Sequence, residues 1–394
     1  MKVFSLYILL LSAYNPYTTY VFNSTGFYGG ELHQVLMAFG MVLFLVVNMR
    51  VFITHIKKIE VVSLLSILVF LLFVFLTSNI DSSVNESIAG VAFILEFYLF
   101  YVIGSRVRYI MPMENAYFVF FRVLLINAVC VIGIWFFMPT HMYFKLDFSG
   151  IYVVRVLDFI IGLFVILILV KPIKLSKTFL TSQLYWVVSL FAIVVGFSRA
   201  VWLSLFLTYM MYFFITWVKY GLRVSAKKIV AFLVFFIFCS IVLYVTGFYE
   251  YIEERFVLNN PDESSYTGRI EAYLSLLYGT FSSVKNLLFG QGIGANMPGL
   301  DIPVSSSPSF FLSFLYTNGI VISLIFILVL IYMAFILLNN FMMKKDMYSL
   351  YGFLLFVYFF IVLNIFPSVS HYPIFGYLGF IVGMSLKVNK ILAR

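Results

Sequence analysis

The chain has 394 residues, of which 63% are hydrophobic, 20% aromatic and only 10% charged. A soluble globular chain carries about 25% charged residues, so this composition excludes an ordinary water-soluble domain and makes lipid the main solvent. The formal net charge of +9 does not point to nucleic acid, because the basic residues cluster between apolar runs instead of lining one polar face.

In chain order, apolar runs of spanning length fall at 3–22, 35–53, 61–76, 88–103, 117–137 and 156–170. The second half adds 184–197, 200–218, 229–248, 310–338, 347–366 and 374–386. About twelve transmembrane helices are therefore expected, in an all-α polytopic membrane protein. The first run follows Lys2 as a signal peptide would, but no A-x-A site follows it and Asn15 and Pro16 read as a turn. It is counted as a span.

Placement of Lys and Arg sets the expected orientation. One face collects Lys2, Arg50, Lys57, Lys58, Arg106, Arg108, Lys171, Lys219, Arg223, Lys344, Lys345 and the basic residues after Leu386. That face is the cytoplasmic one, with both termini on it. Acidic residues lean to the other side. The connections there are short except for 249–309, which precedes the tenth span. It carries a charged stretch at 249–255, a polar turn at 259–267, an amphipathic run at 269–281 and a Gly-rich turn at 290–294. Connections this long are usually functional or disordered, and this one reads as a folded cap with at least one helix. The expected organisation is spans one to nine in 1–248, the cap in 249–309 and spans ten to twelve in 310–394.

Few residues break the apolar pattern. Ser198 and Arg199 separate two spans by a very tight turn, which puts Arg199 at headgroup depth on the outer face. A guanidinium there matches a phosphate by bidentate hydrogen bonding; the competing reading is an Arg that anchors a helix end. Gly268 and Arg269 open the amphipathic run. A cation in a first helical turn opposes the helix dipole, which a bound anion would offset; the competing reading is a solvated charge. Residues 290–294, Gly-Gln-Gly-Ile-Gly, lack the strand and helix of a dinucleotide fold and read as a tight turn. Glu96 and Arg122 lie inside spans four and five. An ion pair between them is the preferred reading, and a proton or ion pathway is the functional alternative. His371, in the last outer loop, is a general base or an interfacial side chain. Cys130 and Cys239 sit in apolar runs, so no disulfide framework is expected. The four histidines show no metal-ligand spacing.

Four segments together resemble the O-antigen ligase and O-antigen polymerase (Wzy) superfamily of bacterial envelope enzymes. They are Gly196-Phe-Ser-Arg199, Gly268-Arg269 with its helix, Leu288-Phe-Gly-Gln-Gly-Ile-Gly294, and Ser309-Phe-Phe-Leu-Ser-Phe-Leu-Tyr-Thr-Asn-Gly319-Ile-Val-Ile322. The resemblance covers the topology as a whole and is sharpest between Gly196 and Ile322. It implies a GT-C-like, metal-independent glycosyltransferase of the inner membrane, without cofactor, acting on undecaprenyl-pyrophosphate-linked glycans at the periplasmic face. A chain-length regulator and a flippase are the implied protein partners, alongside the lipid bilayer.

The two family arginines that contact the pyrophosphate map onto Arg199 and Arg269. The ligases' His corresponds to Pro308, followed by Ser309, and this departure favours polymerase over ligase. The implied reaction displaces undecaprenyl pyrophosphate from the anomeric carbon, with an acceptor hydroxyl attacking. A carboxylate would deprotonate that acceptor: Glu250, Glu253, Glu254, Asp262, Glu271 and Asp301 are the candidates, beside His371. The alternatives are an O-antigen ligase acting on lipid A-core and a polysaccharide flippase or other transporter. A transporter would place its site near the midplane, in discontinuous helices.

Overall fold

The computed structural model describes residues 1–13, 29–55, 60, 63–65, 67–69, 84–137, 161–171, 179–196, 199–221, 264–292, 296–300, 309–365 and 372–386. Regular secondary structure among these residues is helical. The helices are α1 Lys2–Ala13, α2 Gly29–Val47, α3 Met49–Thr54, α4 Val84–Ile110, α5 Met113–Phe137, α6 Ile161–Val170 and α7 Phe179–Gly196. They continue as α8 Arg199–Tyr220, α9 Ser264–Phe281, α10 Val284–Phe289, α11 Phe310–Lys344, α12 Met347–Ile365 and α13 Tyr372–Ser385. Among the described residues, four helices (α5, α8, α11 and α12) are long and apolar enough to cross a membrane. Shorter apolar segments lie in α1, α2, α6 and α13. Among the described residues the chain is all-helical, with the long apolar helices of a membrane-embedded protein. The expected span at 229–248 lies outside the described residues, and that at 61–76 is touched by only a few of them.

The tightest helix pair joins α4 to α13, far apart in sequence. Gly379 packs against the carbonyl of Phe97, Gly383 against the carbonyl of Tyr101, and Gly104 against the carbonyl of Phe380. A Cβ at any of the three would overlap backbone, so only glycine permits this approach. Contacts advance along both helices in the same direction, so α4 and α13 run parallel. In lipid there is no hydrophobic drive between helices, and close backbone packing between small residues supplies the attraction. The spacing Gly376-x-x-Gly379-x-x-x-Gly383 provides that seam.

Hydrogen bonds from buried tyrosines tie α1 and α5 to α13, and α12 to α6. Tyr377 Oη donates to the Leu10 carbonyl at 2.8 Å, Tyr351 Oη to the Leu163 carbonyl at 3.2 Å, and Tyr117 Oη pairs with Ser385 Oγ at 2.8 Å. A buried phenol needs such a partner, because its hydroxyl has lost water.

Several of the described basic residues are held by local contacts, in two groups. Asn48 Nδ2 donates to Ser5 Oγ at 3.4 Å, tying the start of α1 to the junction of α2 and α3. Arg106 forms an ion pair with Glu60, donates to the His55 carbonyl at 3.0 Å and lies over the Phe52 ring. Lys219 donates to the Met342 carbonyl, and Lys345 lies over the Tyr220 ring at 5.7 Å. The Arg106–Glu60 pair is a feature that reading Arg106 as a loop charge misses.

Substituting Ala at Gly379 or Gly383 is expected to destabilise by about 1–3 kcal/mol, the usual cost of overpacking. Gly133→Ala is the control, because nothing lies within 4 Å of a Cβ there. Thermal unfolding in detergent should show lower midpoints for the first two and none for the third.

Candidate functional site

The tenth expected span, at 310–338, is not one straight rod. Within α11, Gly319 has φ 73° and ψ 173°, outside the helical range. A side chain is strained at such a positive φ, whereas glycine adopts it freely. In a straight helix the 310 and 326 positions would lie about 24 Å apart. Instead the rings of Phe310 and Phe326 have centroids 6.2 Å apart, and Ser323 Oγ donates to the Phe314 carbonyl at 3.3 Å. The limb 310–318 therefore folds back along 320–344. Phe326 packs on Phe314 at 5.0 Å, and Phe375 of α13 packs on Phe310 at 5.3 Å. The limb 320–344 alone reaches about 37 Å, more than the ~30 Å hydrocarbon core. The reversal thus lies at the end of the span opposite Lys344 and away from the bilayer centre.

Breaking the helix at Gly319 removes the regular donors for the carbonyls just before it. The Gly-rich turn supplies replacements: Gln291 N donates to the Tyr316 carbonyl at 2.9 Å and Gly292 N to the Thr317 carbonyl at 3.0 Å. Gly290 and Gly319 face each other across this junction. A Cβ on Gly290 would overlap the backbone of Thr317 and Asn318, and one on Gly319 would overlap that of Leu288 and Phe289. The two glycines form a clasp, which agrees with reading the Gly-rich segment as a turn.

Helix α9 packs on the same limb. Ala272, Leu276, Met297 and Tyr316 form a small separate core. Ser275 Oγ donates to the Pro298 carbonyl at 2.7 Å, and Tyr316 Oη to the Asn296 carbonyl at 3.1 Å. Asn364 near the end of α12 anchors the assembly: its carbonyl accepts from Tyr273 Oη at 3.4 Å, and its Oδ1 accepts from Ser309 Oγ at 3.0 Å.

The two arginines fall at this end of the bundle. Arg199 is the first residue of α8. The other end of α8 sits by Lys344 and Lys345, where Tyr220 packs against Phe341 at 6.2 Å. Arg269 lies on α9, and its backbone register aligns it with Tyr273, Leu276 and Thr280, the stripe that faces the bundle. One expectation is corrected here. Arg269 is not in the first turn of its helix, because α9 begins at Ser264. The dipole acts within the first turn, so the anion argument built on it does not hold at Arg269.

Glu271 is exposed on α9, off the bundle-facing stripe. Glu250, Glu253, Glu254, Asp262, Asp301, Pro308 and His371 lie outside the described residues.

The expected Glu96–Arg122 ion pair does not form. Arg122 is exposed on α5, donates to Tyr7 Oη at 3.1 Å and lies over the Phe118 ring at 4.4 Å. Glu96 is buried, and neither of its carboxyl oxygens has a hydrogen-bond partner among the described residues. It rests against Gly376, where a Cβ would come within 2.5 Å of Glu96 Oε1. The physical reason is that α4 spends its inner face on α13, while Arg122 turns to α1. Adjacency in sequence misled the pairing.

Comparison with protein-family models gives no match, and comparison with curated proteins gives none either.

Replacing Glu96 by Gln and Arg122 by Gln should give losses of stability that add within about 0.5 kcal/mol, as expected for groups that do not touch. Denaturant titration of the two single variants and the double variant in detergent checks this. A coupling clearly above that value would restore the pair.

Proposed function

We propose that the chain is a membrane glycosyltransferase that polymerises undecaprenyl-pyrophosphate-linked oligosaccharide repeat units into O-antigen or a related surface polysaccharide. It works at the periplasmic face of the bacterial inner membrane, with both termini in the cytoplasm. The observation that carries this reading is the common placement of Arg199 and Arg269 at one end of the bundle. Lys219, Lys344 and Lys345 lie at the opposite end of the bundle. By the positive-inside rule that opposite end is cytoplasmic.

In the reaction an acceptor hydroxyl attacks the anomeric carbon of the lipid-linked glycan. The bond from that carbon to the pyrophosphate oxygen breaks, and undecaprenyl pyrophosphate leaves with the developing negative charge. Two guanidinium forks suit a diphosphate, since each can grip one phosphoryl group. Donors held in place before the reaction stabilise the leaving group without reorganising. Glu250, Glu254, Asp301 and His371 are the candidates to accept the acceptor's proton. Glu271 is the weakest of the carboxylates, because it is exposed on the outer flank of α9.

A transporter is the rival reading, and Glu96 favours it. A buried carboxyl without a hydrogen-bond partner among the described residues, inside the expected fourth span, is a common mark of an ion or proton path. The broken helix argues the other way. Transporters break helices near the midplane, whereas the reversal at Gly319 lies at the end of its span.

Deleting the gene and analysing the surface polysaccharide separates the readings. Single repeats on the lipid carrier support a polymerase. Long chains stranded on the carrier indicate a ligase, and repeats held at the cytoplasmic face a flippase. Arg199→Lys and Arg269→Lys should each keep normal membrane abundance yet lose most polymer formation, on the order of the 10²-fold that one preorganised donor is worth. Near-normal chain-length distributions in both variants would overturn the shared diphosphate site.

A further inference from the structure

The cap helix α9 has two apolar faces. One is the protein-facing stripe of Ala272 and Leu276, packed against Tyr316 and Met297. The other, roughly opposite on the helix at 3.6 residues per turn, is Ile270, Leu274, Tyr278 and Phe281, and all four are exposed. Helix α10 extends that surface with Val284 and Phe289. The exposures are large: 75% for Tyr278, 73% for Val284 and 64% for Phe281. A helix lying in water on a protein surface turns polar residues outward. Here Glu271 is the charged residue at the edge of an outward face that is otherwise apolar, and an exposed apolar patch of this kind marks a binding or membrane surface.

We propose that α9 and α10 lie in the interfacial zone of the same bilayer the bundle spans, with this outer face immersed in lipid acyl chains. Three observations select lipid as the occupant. First, the patch is continuous with the lipid-facing side of a spanning helix. Gly319 abuts the backbone of Leu288 and Phe289, and the next residues along α11, Ile320, Val321 and Leu324, are themselves exposed apolar positions. Second, the hydrogen bond from Tyr273 Oη to the Asn364 carbonyl fixes α9 at the level where α12 ends, so the helix cannot stand away from the membrane. Third, the residue mix suits an interface. Tyr278, Phe281 and Phe289 are aromatic, and Lys285 is exposed beside them, placed for lipid phosphates.

The consequence is mechanical. The cap is held on one side by the Gly290–Gly319 clasp and on the other by lipid, so the stripe of Ala272 and Leu276 stays against the bundle at headgroup depth. This inference rests on the membrane reading of the fold and is independent of the glycan chemistry.

The test uses the full chain with Cys130→Ala and Cys239→Ala, in nanodiscs of phosphatidylethanolamine and phosphatidylglycerol. Nitroxide labels are attached at Leu274→Cys, Tyr278→Cys and Phe281→Cys, with Leu328→Cys on α11 as the lipid-facing reference. Collision with oxygen is compared with collision with a water-soluble nickel chelate. Oxygen should dominate at all three cap positions, as at Leu328→Cys. Dominance of the chelate would place the face in water and overturn the proposal. Low access to both reagents would show a protein cover and overturn it as well. If the Leu328→Cys label favours the chelate, α11 is not a span and the proposal falls with it, whatever the polymerisation assay shows.

Discussion

The end of the bundle that carries α9 and α10 depends on a single chain reversal. Without the positive φ of Gly319, α11 would run straight, and the limb 310–318 would project beyond any bilayer instead of lying against Phe326 and Phe375. The reversal frees backbone carbonyls, and the turn after α10 satisfies them with Gln291 N and Gly292 N. Fixing that turn fixes α10, and through the short connection at Ser282 and Ser283 it fixes α9. The position of Arg269 is thus set by a backbone junction about fifty residues further along the chain. Local rigidity of this kind suits the proposed site for a lipid-linked substrate, because donors placed in advance lose little on binding.

Much of the helical framework is legible in the hydropathy pattern. The expected runs at 117–137, 200–218 and 347–366 match α5, α8 and α12 to within a few residues. Helices in lipid must satisfy every backbone group internally, so apolar length alone announces them. The pattern fails where the same composition serves two geometries. An apolar stretch such as α11 reads identically as a straight helix and as a hairpin, and only its length, beyond what a bilayer needs, hints at the reversal. The start of α9 is missed for a different reason: Ser264, Ser265, Tyr266 and Thr267 are weak helix formers with no apolar period. Their helical state comes from packing of the rest of α9 on Tyr316.

The site is legible only in part. The spacing of Arg199 after Gly196, and the glycine clusters near 290 and 319, stand out in sequence, and the backbone gives the glycines a clear role as a clasp. The partner of Glu96 is not legible. Pairing it with Arg122 assumed that sequential helices share their polar faces, whereas α4 is committed to α13 through Gly376, Gly379 and Gly383. That parallel seam is non-local, and its sequence signature is a glycine spacing that carries no address for the partner helix. The carboxyl of Glu96 sits where a larger residue than glycine at 376 would displace it, so burial there is built into the seam.

The cap geometry depends on α11 folding back on itself. The most direct measurement is intramolecular crosslinking of a Phe310→Cys, Phe326→Cys variant, in the background lacking Cys130 and Cys239, with a short bifunctional maleimide in native membranes. The folded-back limb brings these side chains together, with ring centroids 6.2 Å apart in the unsubstituted chain, so rapid crosslinking within one chain is the predicted result. A continuous helix would hold the two positions about 24 Å apart, and absence of the crosslink from folded, membrane-inserted protein would contradict the reversal and the cap geometry built on it.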